Sequence, residues 1–136
     1  MSSISPDVSG EAAQKHVLVV DDDVDLAQTY RELLEVYDYR ASVACNGIQA
    51  LKFVAETEVD AIVCDLSMPQ MEGDVFYEEA RRVRPELSLR FIFVTGNSGN
   101  SRFEPFLAKV ACPVLYKPVA VDKLMDALAN VLGRPM

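Results

Sequence analysis

The chain has 136 residues, close to the ~150 of one average domain, which leaves no room for a second. Half of the residues are apolar and a quarter are charged, an ordinary globular composition, with 13 basic against 21 acidic residues for a net charge of −8. That balance argues against broad binding of a nucleic-acid backbone, which needs a clustered positive footprint, and no stretch approaches the ~20 apolar residues of a membrane span.

Residues 1–14 are small and polar, without periodicity, and are expected to form a disordered tail. They have neither the positive start nor the apolar centre of a secretory signal, so a cytoplasmic location is expected. From there two textures alternate. Short apolar runs rich in β-branched residues stand at His16–Val20, Tyr39–Ala44, Val59–Cys64, Leu89–Val94 and Cys112–Tyr116. Without polar alternation, they have the pattern of strands buried on both faces.

Five helical patterns fall between and after these runs. Leu26, Tyr30, Leu33, Leu34 and Tyr37 recur at spacings of three and four; Ala50, Leu51 and Val54 do so after Asn46-Gly47; Phe76, Ala80 and Val83 make a third set. Phe103, Phe106, Leu107 and Val110 make a fourth, with Pro105 confined to a first turn and Gly96 to Asn100 as a permissive loop before it. Leu124, Leu128, Val131 and Leu132 make a fifth, which Gly133 is placed to end. Tyr30, Tyr37, Phe76 and Phe103 are expected in the core. Five strands alternating with five helices predict an α/β domain, a doubly wound parallel sheet over residues 15–133 followed by a short C-terminal end, 134–136.

Three cysteines (Cys45, Cys64, Cys112) stand far apart and His16 is the only histidine, so a zinc site is not offered. Cys64, inside an apolar run, is expected to be a buried structural thiol, and His16 a structural residue at a strand start.

In an open α/β sheet the chemistry lies at the carboxyl ends of the strands. The first strand ends in Asp21-Asp22-Asp23, the third in Asp65, the fourth in Thr95 and the fifth in Lys117-Pro118. Asp21, Asp22 and Asp65 in one crevice repel one another unless countered. Lys117 can supply one positive charge, and Mg²⁺, which prefers carboxylate oxygens, two. Such a site suits phosphoryl transfer, with one carboxylate as nucleophile and the other groups neutralising charge. Asp23, just ahead of a helix, is expected to be its N-cap.

Four segments in this order, Val19-Val20-Asp21-Asp22, Asp65 to Gly73, Val94-Thr95-Gly96 and Tyr116-Lys117-Pro118, resemble the motifs of response-regulator receiver domains of two-component signalling over about residues 15–133. The resemblance implies a flavodoxin-like, CheY-like three-layer sandwich with strand order 2-1-3-4-5. It implies that Asp65 accepts a phosphoryl group from a phosphohistidine, and that Asp21, Asp22, Asp65 and the Ser67 backbone carbonyl bind Mg²⁺. Thr95 and Lys117 would contact the phosphoryl oxygens, and the Lys117-Pro118 bond would be cis. Gly73 would relieve crowding where the loop enters the third helix. Ser67 and Asn97 stand where the family tunes acyl-phosphate lifetime.

Partners implied are a histidine kinase or histidine phosphotransfer domain and a downstream protein or output domain. No direct nucleic-acid binding and no membrane insertion are expected, and a homodimer formed on phosphorylation stays open. The role implied is that of a signalling phosphoacceptor rather than an enzyme, with self-catalysed phosphotransfer and autodephosphorylation. One family feature is missing: the aromatic residue three positions before the lysine, whose ring swings as the threonine moves, is here Val114.

Two rivals bear on the same residues. Val20 to Val24 also carries the DxD part of the DxDxV motif of haloacid-dehalogenase-like phosphatases, with Asp21 as nucleophile and Asp23 as acid. Those enzymes need a further acidic strand end after the lysine, where Val119 to Leu132 has a helical pattern, and Asp65 would have no role. The other rival is a receiver fold that serves as an interaction module without being phosphorylated.

Overall fold

A computed structural model describes residues 14–96 and 102–133. Five parallel strands, β1 (His16–Val20), β2 (Arg40–Ala44), β3 (Ala61–Asp65), β4 (Phe91–Thr95) and β5 (Val114–Tyr116), form one sheet in the order β2-β1-β3-β4-β5. Five helices cover it: α1 (Val24–Val36), α2 (Gly47–Glu56), α3 (Gly73–Val83), α4 (Glu104–Lys109) and α5 (Val121–Leu132). Residues 1–13, 97–101 and 134–136, with the expected tail, most of the permissive loop and the C-terminal end, lie outside the described residues.

The apolar runs are unbroken because both faces of the sheet are covered. Along β1, Leu18 and Val20 enter one core with Ile62, Cys64, Phe91 and Phe93, while Val17 and Val19 enter the other with Ala61, Val63, Ile92 and Val94. The two-residue period of a strand sorts them. Helices α2 and α3 close the first core, through Ala50, Val54, Phe76, Tyr77 and Ala80; α1 and α5 close the second, through Ala27, Tyr30, Leu34, Leu124 and Leu128. Each fully buried Leu, Ile or Phe contributes about 1.5–3 kcal/mol of transfer free energy.

Local signals set the helix starts. Asp23 caps α1, its carboxylate accepting from Leu26 N at 3.1 Å, and Asn46 caps α2, accepting from Gln49 N at 2.8 Å. Pro105 sits in the first turn of α4, and Gly133 caps the end of α5.

Four differences from the expected elements have physical causes. Leu89 belongs to a 3₁₀ turn (Pro85–Leu89), opened by a proline whose missing N–H a turn tolerates, so β4 starts only at Phe91. Strand β5 begins after Cys112-Pro113, because Pro113 has no N–H for the ladder and only its carbonyl accepts, from Phe93 N at 2.9 Å. Tyr37, expected in the core, is 49% exposed as the residue that ends α1, and Val83 is 47% exposed at the end of α3. Tyr30, Phe76 and Phe103 are buried as expected.

Candidate functional site

The crevice at the carboxyl edge follows from strand register. Val20 pairs with Cys64, so the next residues, Asp21 and Asp65, emerge side by side at about the 4.8 Å spacing of neighbouring strands. Both are buried, at 2% and 5% exposure, while Asp22, one residue on, is exposed. Carboxylate oxygens of Asp21, Asp22 and Asp65 lie within 4.8 Å of one another.

The counter-charge comes from two strands away. Tyr116 pairs with Thr95, and Lys117 N donates to Thr95 O at 2.9 Å. The lysine stem then crosses Gly96, where an added Cβ would stand 3.9 Å from Lys117 Cδ. Its Nζ reaches Asp65 Oδ2 at 3.1 Å and Asp21 Oδ2 at 3.4 Å. The Lys117-Pro118 bond is cis. Thr95 ends β4 at 7% exposure.

Backbone donors hold the other carboxylate oxygens. Asp23 N donates to Asp21 Oδ1 at 2.9 Å and Ser67 N to Asp65 Oδ1 at 3.3 Å. Even so, burial raises both acids above the usual carboxylate range. For Asp65 the charge of Asp21 adds to this, and the lysine opposes it for both. Burial pulls the Lys117 ammonium down, but Asp65 and Asp21 together outweigh it and its pKa stands above the ordinary value. The pocket therefore carries more negative charge than the lysine alone can balance.

A hard divalent cation fits that surplus. Oxygens about 2.1 Å from a common Mg²⁺ lie at most about 4.2 Å apart, and the three carboxylate oxygens already lie within 4.8 Å of one another. The loop after Asp65 is held for the purpose. Gly73 N donates to Leu66 O at 2.9 Å, and a Cβ on Gly73 would stand 2.5 Å from Asp65 O. On the other side Met71 packs on Gly47, where an added Cβ would come within 2.6 Å of Met71 O. Only glycine fits either contact. The Gly47 contact has no signal in the sequence.

His16 lies at the other end of the sheet, with its Nε2 2.8 Å from Ser42 Oγ and its ring edge-on to Phe53. Burial lowers its pKa, and it has no part in the crevice. Cys64 is fully buried and its thiol raised by burial, as a structural residue's would be. Asp23 faces α1 as its cap, and residues 121–132 are helical. Both leave the phosphatase pattern without its acid and its later acidic strand end. Asn97 lies outside the described residues. Among the described residues no helix is long and apolar enough to cross a membrane.

Comparison with known proteins gives a consistent result. The sequence profile of the response regulator receiver domain matches residues 17–129. The transcriptional regulatory protein ZraR of Klebsiella oxytoca is 34% identical over 126 residues, which are 93% of this chain and 28% of that protein. The sensor kinase CckA of Brucella abortus is 30% identical over 94% of this chain and 13% of its own length. The chain thus spans well under half of either relative. Among solved structures, a CheY-like response regulator receiver domain protein from Methanospirillum hungatei superposes with a TM-score of 0.79 at 26% identity, over 88% of this chain and 94% of that one.

Proposed function

The chain belongs to the response regulator receiver domain family of two-component signalling, and we propose that Asp65 is its phosphoacceptor. A carboxylate oxygen of Asp65 attacks the phosphorus of a phosphohistidine. The P–O bond forms as the P–N bond breaks, and the bonding pair leaves with the imidazole nitrogen. The product is an acyl phosphate, and attack of water on its phosphorus returns the carboxylate and inorganic phosphate. The observation that carries this reading is the contact of Lys117 Nζ with both Asp65 and Asp21 at the mouth of the sheet.

Each residue has a role in that transfer. Lys117 neutralises charge on one phosphoryl oxygen and orients the Asp65 carboxylate, and the Thr95 hydroxyl donates to another oxygen. Asp21, Asp22, Asp65 and the Ser67 carbonyl would hold Mg²⁺. When bound, the ion supplies positive charge that offsets the acids and the incoming phosphoryl group. Lys117 alone leaves part of that charge uncompensated.

The donor is a histidine kinase or a histidine phosphotransfer domain, and the phosphorylated surface addresses a downstream protein or an output domain. The kinase and transcriptional regulator among the relatives support both directions. The test is chemical. With Mg²⁺ and acetyl phosphate, the intact mass should rise by one phosphoryl group mapped to Asp65, and Asp65→Asn should abolish the shift. Label on Asp21 instead would favour the phosphatase chemistry; no label at all would favour a constitutive interaction module.

A further inference from the structure

We propose that the state of Asp65 is passed to α4 through the ring of Phe106, which takes the part that Val114 of β5, having no ring, cannot play. This inference rests on the phosphoacceptor role proposed for Asp65. Val114 on β5 pairs with Phe93 of β4 and contributes only a small aliphatic side chain to the core behind it. Phe93 itself stands two residues before Thr95, and the two-residue strand period puts both side chains on the same face of the sheet.

On that face Phe93 meets α4 directly. Its ring lies 5.2 Å from that of Phe106 at 81°, and Tyr77 of α3 lies 5.5 Å from Phe106 and 5.6 Å from Phe93. Tyr77 is fixed, buried at 6% exposure with its hydroxyl donating to Ser88 O at 2.9 Å. Phe106 therefore sits edge-on between a pinned ring and a ring on the strand that ends in Thr95.

Helix α4 is suited to respond. It has six residues and none of them is fully buried, and a helix so short has no stability apart from its contacts. An ion pair from Arg102, just before α4, to Glu72 also ties it to the loop that follows Asp65. The Phe93 ring and this ion pair both lead back to site-bearing segments. A Thr95 drawn toward an occupied Asp65 pulls the end of β4, shifts the Phe93 edge and changes how α4 seats, with no movement of β5.

Amide exchange measured by mass spectrometry on the full chain tests this, with Mg²⁺ alone and with Mg²⁺ plus beryllofluoride as phosphoryl mimic. In the wild type, protection of residues 104–110 should change by about threefold or more on occupancy. Phe106→Tyr, which keeps the ring and can turn its hydroxyl to solvent, should retain that response. Phe106→Met, of similar size but without a ring, should lose most of it while Asp65 is still labelled by acetyl phosphate. Equal responses of the two variants, or an unchanged α4 in labelled wild type, overturn the inference and leave the phosphoacceptor role standing. Absence of label on wild-type Asp65 overturns that role first.

Discussion

At the scale of single residues, the acid pair is held at a cost to the fold. Burial keeps the pKa values of Asp21 and Asp65 above the usual carboxylate value of 3.8 despite the lysine. A carboxyl whose folded pKa exceeds its unfolded one favours the native state while protonated, and that contribution is lost as pH climbs through the folded pKa. Without divalent ions, Asp65→Asn should therefore melt a few degrees above wild type at pH 7, with the gap closing as pH falls toward 4. Thermal unfolding in EDTA at several pH values checks this; a gap that widens on acidification would contradict it. Lys117 works in the opposite sense, since its raised pKa favours the fold throughout the neutral range.

At the scale of elements, the loop between β3 and α3 is the least tolerant connection. Gly73→Ala would drive a methyl group into Asp65 O and Leu66 Cα, at 2.5 and 2.9 Å, both of them backbone. It should cost about 1–3 kcal/mol in denaturant unfolding and also slow labelling of Asp65, because the same backbone carries the carboxylate. A variant as stable as wild type would show that the loop yields. The apolar runs and strand-end polar residues were legible in the sequence because parallel burial leaves an unbroken apolar run that stops where the chemistry begins. The convergence of Asp21, Asp22, Asp65 and Lys117 followed from that topology. The 3₁₀ turn ahead of β4, the exposure of Tyr37 and Val83, and the packing of Met71 on Gly47 did not. Each depends on how an element ends or on which distant backbone approaches it, and neither leaves a periodic trace.

At the scale of the whole molecule, the unbalanced charge of the crevice couples ligand binding to stability. An ion that binds only the folded state stabilises it by RT ln(1 + [L]/Kd), about 1.4 kcal/mol at ten times Kd. Magnesium chloride should raise the melting temperature of the wild type reversibly with EDTA. Asp22→Ala, which removes an exposed donor and leaves the buried pair intact, should need a markedly higher ion concentration for the same rise. An equal concentration dependence in the two proteins would remove Asp22 from the ligand set.

The contact of Lys117 with Asp65 spans 52 positions of sequence, and the lysine follows the last strand of this sheet. A polypeptide still leaving the ribosome has its three acids long before the cation that steadies them. Until β5 and the residue after it have been laid down, the buried acids of a nascent copy thus lack their partner from within the chain.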